Sequence, residues 1–177
     1  MRLVHVCSRL SAVTLIVLLL SAGRVGAADL PDWIQATTQA QFVVITLDAG
    51  VGDNNDGLNF NGFYNGSHRI VVPLGWTVIV RMRNADPRVP HSALVTPVYR
   101  QDEMPERLST KDTAFPGAAT PVPFTGTAAG GYGEFSFAAD KAGHYFIACG
   151  VRTHLQIGMW LRLDVVEGAA GPDWRTD

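Results

Sequence analysis

Hydrophobic and polar positions alternate with a period of two along much of the chain beyond residue 40, the signature of half-buried strands. Residues 42–47 (FVVITL) form a β-branched apolar run. Residues 77–84 (TVIVRMRN) put Val78, Val80 and Met82 on one side and Ile79, Arg81 and Arg83 on the other. Phe135 and Phe137 alternate with Glu134 and Ser136. In residues 159–166, Leu161, Leu163 and Val165 alternate with Trp160, Arg162, Asp164 and Val166. Residues 69–72, 92–96 and 145–148 read as shorter strands. Helical periodicity is weak, and its best candidate is a short helix over residues 31–41 (PDWIQATTQAQ). About seven strands punctuated by Gly, Pro and Asn predict an all-β fold, an antiparallel β-sandwich. Residues 97–133 have no period and are rich in Pro, Thr, Ala and Gly. A loop of that length is usually functional or an embellishment. It is expected to lie over the sandwich without forming a second domain.

The start of the chain has a different pattern. Residues 10–22 (LSAVTLIVLLLSA) are almost wholly apolar, and Arg9 and Arg24 flank them with 14 residues between. That is short of the roughly 20 residues a spanning helix needs. Val25, Gly26 and Ala27 then read as a small-residue cleavage signature. Residues 1–27 are therefore expected to be a signal peptide, with an uncleaved anchor as the alternative. Residues 28–177 would form one domain with its core at about 42–166. The protein is expected to be exported, to a periplasm or the outer face of the cytoplasmic membrane. It would touch a membrane only if the leader were retained.

Removing the leader alters what the composition says. The full chain of 177 residues has a formal charge of −2 and two Cys. Residues 1–27 hold three arginines, no acid and Cys7, so the remainder carries −5 and a single thiol, Cys149. With no basic surplus, binding to nucleic acid or phosphate has no electrostatic support. One Cys excludes a disulfide scaffold and a Cys₄ zinc or iron–sulfur site within the chain. An idle thiol outside the cytoplasm invites oxidation, so this one calls for a reason. The polar stretch of residues 53–57 (DNNDG) fails the EF-hand spacing and reads as a turn.

Residues 149–159 (CGVRTHLQIGM) supply the reason. They place Cys149, His154 and Met159 at C-x4-H-x4-M spacing between two apolar strands, with His91 upstream, just before another strand. Two imidazoles, a thiolate and a thioether are the ligand set of a blue-copper centre, His₂Cys in a trigonal plane with a weak axial Met. A loop pinned by flanking strands lets three ligands converge on one ion, and a neighbouring strand brings the fourth. Gln occurs as axial ligand in some such sites. Gln156, however, stands only two residues after His154, and Met159 is better placed. Neither His68 nor His144 falls in a ligand-like context.

At these residues the chain resembles the cupredoxins, and within them the sulfocyanins. The matching segments, in order, are residues 59–62 (NFNG) with 65–66 (NG), 72–76 (VPLGW), 90–91 (PH), 149–151 (CGV) and 158–160 (GMW). The C-x4-H-x4-M spacing is also that of rusticyanins. The resemblance spans about residues 42–166 and implies a Greek-key β-sandwich holding one type 1 copper per chain. It implies His91, Cys149 and His154 as equatorial ligands and Met159 as the axial one. Many cupredoxins have Asn after the first His. Here that position is Ser92, as in rusticyanin-like proteins, with a shorter reach across the two ligand loops.

The resemblance also implies an electron carrier rather than an enzyme, shuttling single electrons in a respiratory chain between redox proteins such as cytochromes or a terminal oxidase. His154 would reach the surface through an apolar patch drawn from Val151, Leu155, Ile157 and Trp160. The alternative is copper binding and delivery. Scattered Met82, Met104 and Met159 argue against it, because such proteins often use Met-rich open sites. A multicopper oxidase or nitrite reductase needs more His than the two left over here.

Overall fold

Strand pairing answers most of the alternation along the chain. The computed structural model describes residues 30–176. The leader and cleavage site expected over residues 1–27, with Cys7, lie outside the described residues. Among the described residues nine strands follow in chain order: β1 (Ile34–Thr37), β2 (Phe42–Ala49), β3 (His68–Pro73), β4 (Thr77–Asn84), β5 (Leu94–Pro97), β6 (Tyr132–Ala138), β7 (Gly143–Ala148), β8 (Trp160–Val166) and β9 (Asp173–Thr176). They form two sheets, β1-β2-β4-β6 and β5-β7-β8-β3-β9.

The β-sandwich expected from the sequence is present, but its pairing is mixed rather than wholly antiparallel. β2 runs parallel to β4, and β3 parallel to β8. The reason is topological. Between β2 and β4 the chain crosses to the other sheet for β3 and returns, so β4 re-enters the first sheet in the direction of β2. Such crossovers between sheets are what a Greek key requires.

The helix expected over residues 31–41 is not formed. Ile34 pairs with Ile45 and Thr37 with Phe42, making β1 an edge strand whose sole buried residue is Ile34. Ten or so residues with two large apolar side chains cannot offset helix nucleation, whereas an existing sheet edge supplies backbone partners at once.

Val78, Val80 and Met82 of β4 face the core, as their alternation predicts, together with Val43, Ile45 and Leu47 of β2 and Leu161, Leu163 and Val165 of β8. β7 differs: Tyr145, Phe146, Ile147 and Ala148 are all buried. Ile147 belongs to the main core, while Phe146 and Ala148 pack in a second cluster with Leu94, Met104, Leu108, Leu155 and Trp160. Met104 and Leu108 come from the long insertion, which thus covers the outer face of the sheet. The insertion also runs back beside β5, where Val95 N–H donates to the Ala118 carbonyl and Thr120 N–H to the Ala93 carbonyl. An exposed strand edge is thereby occupied.

Candidate metal centre

The ends of β7 and β8 set the site. Cys149 follows the last residue of β7, and Met159 precedes the first of β8. Their backbones are tied, with Cys149 N–H donating to the Met159 carbonyl at 3.0 Å. The nine residues between them, 150–158, are folded tightly on themselves. His154 N–H donates to the Val151 carbonyl, and Met159 N–H to the His154 carbonyl. Thr153 takes a left-handed conformation (φ 67°) that turns the chain. His91 arrives from the segment before β5 and is held by a reciprocal backbone pair with Thr127 of the insertion.

His91, Cys149 and His154 converge, with their ligand atoms all within 4.8 Å of one another. Cys149 Sγ stands 3.9 Å from His91 Nδ1 and 3.4 Å from His154 Nδ1. The two imidazole rings lie 5.1 Å apart at 53°. Met159 is wholly buried in the same core and hydrogen-bonded through its backbone to both flanking donors. The four residues singled out from the sequence are thus brought together, arranged like a type 1 copper site. His91, Cys149 and Met159 are inaccessible, and His154 is 8% exposed.

Electrostatics favour a cation here. Burial raises the Cys149 thiol above its ordinary range, despite hydrogen bonds from Ser92 and Val151 that favour the thiolate. Among the described residues Cys149 has no disulfide partner. Burial and the neighbouring His91 push His154 down to about 4, so its imidazole is neutral near pH 7. Burial also lowers His91, against the opposing pull of Asp86. Two neutral imidazoles and a thiol whose ionisation needs a counter-charge fit a soft metal ion. The thioether at the fourth position suits copper.

Ser92 bridges the two ligand loops. Its Oγ accepts Gly150 N–H at 2.8 Å, and its N–H points at Cys149 Sγ at 3.4 Å. The shorter side chain therefore still spans the gap. Gln156 donates to the Met104 carbonyl and is exposed, away from the donor set. His144 pairs with Asp164 at 2.7 Å, and His68 stacks on Trp174. Neither is near the centre.

One neighbour was not singled out from the sequence. Asp86 is fully buried, with Oδ2 3.4 Å from His91 Nε2. Arg88 donates to its Oδ1 through the backbone N–H at 2.7 Å and through Nε at 3.1 Å. Residues 86–88 (DPR) read locally as a polar turn, and only the fold turns the carboxylate inward.

The apolar patch expected around His154 is only partly there. Leu155 and Trp160 are buried, because both serve the second core cluster under the insertion. Val151 is half-buried and Ile157 exposed. The insertion supplies Val122 and Phe124 instead, 53% and 47% exposed. It lies against the ligand loop: a Cβ on Gly150 would stand 3.0 Å from the Pro123 carbonyl oxygen. Arg152, of the opposite sign to the chain's net charge, is paired with Glu106 at 2.7 Å.

Compared with known proteins, residues 31–173 match the family model described as sulfocyanin (SoxE) domain. The sulfocyanin of Sulfolobus acidocaldarius is 30% identical over 135 residues, 73% of this chain and 66% of that protein. The chain thus spans just under two thirds of that relative's length. Among solved structures, the reduced auracyanin of Roseiflexus castenholzii superposes with a TM-score of 0.52 at 21% identity, over 75% of this chain and 99% of that one. A rusticyanin variant gives 0.51 at 18%, over 76% and 87%. At such identities the structural likeness speaks for the fold.

Proposed function

The chain belongs to the sulfocyanin family, and from that premise we propose that it carries single electrons between redox proteins outside the cytoplasm, as part of a respiratory chain. The observation that carries this reading is the buried thiol of Cys149 facing Nδ1 of both His91 and His154. Bound among these donors and Met159, one copper supplies a one-electron Cu(II)/Cu(I) couple. The protein contributes rigidity and exclusion of water. Three of the four donors are inaccessible, and the backbone bonds joining Cys149, His154 and Met159 hold their spacing without a ligand. A centre that need not rearrange on changing charge exchanges electrons quickly.

His154, the one donor with exposed surface, is the port. Val122, Phe124, Val151 and Ile157 supply apolar surface on the segments around it, suited to brief docking over a small interface. The surplus of acids over bases beyond the leader favours a cationic partner and salt-sensitive association. Cytochromes or a terminal oxidase fit that description.

The test is one visible and EPR spectrum of the copper-loaded protein. An intense thiolate-to-Cu(II) band, bleached by ascorbate and absent from Cys149→Ser, is expected. A colourless copper complex with Cys149→Ser binding as tightly would overturn the reading and favour copper delivery. For docking, the charge-neutral Phe124→Ser is expected to slow electron exchange with a cationic cytochrome and leave the spectrum unchanged. An unchanged rate would remove Phe124 from the interface.

A further inference from the structure

Asp86 is a carboxylate in an unexpected place. Its side chain is buried, and burial of a charge is costly unless it is paired and hydrogen-bonded. The structure meets that cost on every side. Asp86 N–H donates to Asn84 Oδ1 at 2.9 Å, and the buried Asn84 in turn donates to the carbonyls of Val89 and Thr127. Arg88 wraps the carboxylate and also donates to the Asp56 carbonyl at 3.0 Å. Gly57, at φ 81°, leaves the space the pair fills: a Cβ there would stand 2.9 Å from Asp86 Oδ2 and would collide with the Arg88 guanidinium. A carboxylate serving only to brace Arg88 could sit at the surface, where Arg88 itself largely is. Here one oxygen faces the outer nitrogen of a donor imidazole instead.

The chemistry of that ring decides what the contact does. A neutral imidazole carries one N–H. With Nδ1 facing Cys149 Sγ and the space shared with His154, its lone pair is available there only if the proton is on Nε2. Nε2 is the atom that meets Asp86. Resting on the copper reading above, we propose that Asp86 is a positioning residue of the metal centre: its carboxylate accepts the Nε2–H of His91, selects the tautomer whose Nδ1 is the donor, and stabilises Cu(II) over Cu(I). A carboxylate behind a ligating histidine fixes ring orientation and raises ligand basicity. Arg88, bonded to the same carboxylate, opposes it in charge. The Asp86–Arg88 pair therefore sets the potential by difference.

Opposite charges give the test its sign. Asp86→Asn keeps an acceptor but removes the negative charge, and is expected to raise the potential, shifting the Cu(I)-over-Cu(II) preference about tenfold, or about 59 mV for one electron. Arg88→Gln is expected to lower it. Loss of packing alone would not move the two variants in opposite directions. The copper-free wild-type protein is read separately by ¹⁵N NMR of the imidazole nitrogens, where His91 is expected as the Nε2–H tautomer. Asp86→Leu is expected to abolish that preference. If that variant does not fold, the first two still decide. A wild-type His91 protonated on Nδ1, or potentials that stay put or move together, would overturn the proposal. A wild-type protein that bound copper without blue colour would instead sink the electron-carrier reading, and the metal-free NMR would still judge the tautomer.

Discussion

Ser92 touches both ligand loops, and small as it is, it has two duties. Its Oγ satisfies the buried N–H of Gly150, and its N–H points at the thiol of Cys149. Ser92→Ala would orphan the Gly150 N–H and is expected to cost about 1–3 kcal/mol, measurable by denaturant unfolding of the copper-free protein. It would also loosen the surroundings of the sulfur, so the visible band of the loaded protein is expected to shift. An unchanged stability would show that another group takes over Gly150. Met159 has a different kind of leverage. With copper bound it would be the weak fourth donor, favouring Cu(II) modestly, so Met159→Leu is expected to retain the blue band and raise the potential by voltammetry. Ligand identities were legible because each residue type carries its own coordination chemistry. Asp86 was not, since a lone acid in a turn has no distinguishing neighbour in the chain.

Between strands, two matched segments that hold no donor, residues 59–62 and 65–66, support the ligand loop. Asn59 is buried and braces the turn that follows β2, donating to the carbonyls of Val51 and Asn54 while its Oδ1 accepts Gly62 N–H. That turn reaches the ligand loop, with Asn55 Nδ2 donating to the Ile157 carbonyl at 3.1 Å. A few residues on, Asn65 N–H donates to the Gly158 carbonyl and Gly66 N–H to that of Trp160. Gly158 has φ 104°, and a Cβ there would collide with the Asn65 amide. Gly158→Ala is therefore expected to destabilise the protein by about 1–3 kcal/mol from backbone strain, and to broaden the EPR spectrum as the Cys149–Met159 loop shifts. A native melting temperature and spectrum would contradict this clasp. The polar stretch of residues 53–57, read as a turn, folds as a short 3₁₀ element over Asn54–Gly57 in which Asn55 and Asp56 are left-handed; its contact with Arg88 and the ligand loop depends on the fold.

At the scale of the whole molecule, two buried histidines make the copper-free protein sensitive to acid. His154 falls from an ordinary 6.5 to about 4 on folding, and His91 moves the same way. Between those values the unfolded chain takes up protons that the folded one refuses, so stability is expected to fall as pH drops from about 6.5 to 4. Asp86 acts lower down. Burial raises its carboxyl, but hydrogen bonds from Arg88 and His91 outweigh that and hold it at about 2. Its contribution is present above its unfolded value and is lost as pH falls toward 2. Urea unfolding of the metal-free protein across this range checks both, and a flat profile from pH 7 to 4 would contradict a neutral buried His154. The chain by itself determined the strand faces, the sandwich and the four donors. Alternation at period two and the chemistry of Cys, His and Met are local properties that survive without a fold. Only the tertiary structure decided the mixed pairing, the edge strand at Ile34–Thr37, the insertion's cover over Leu155 and Trp160, and the inward Asp86. The mixed pairing and the insertion's cover depend on segments far apart along the chain, whereas the edge strand and the inward Asp86 meet partners close in sequence that only the fold brings into register.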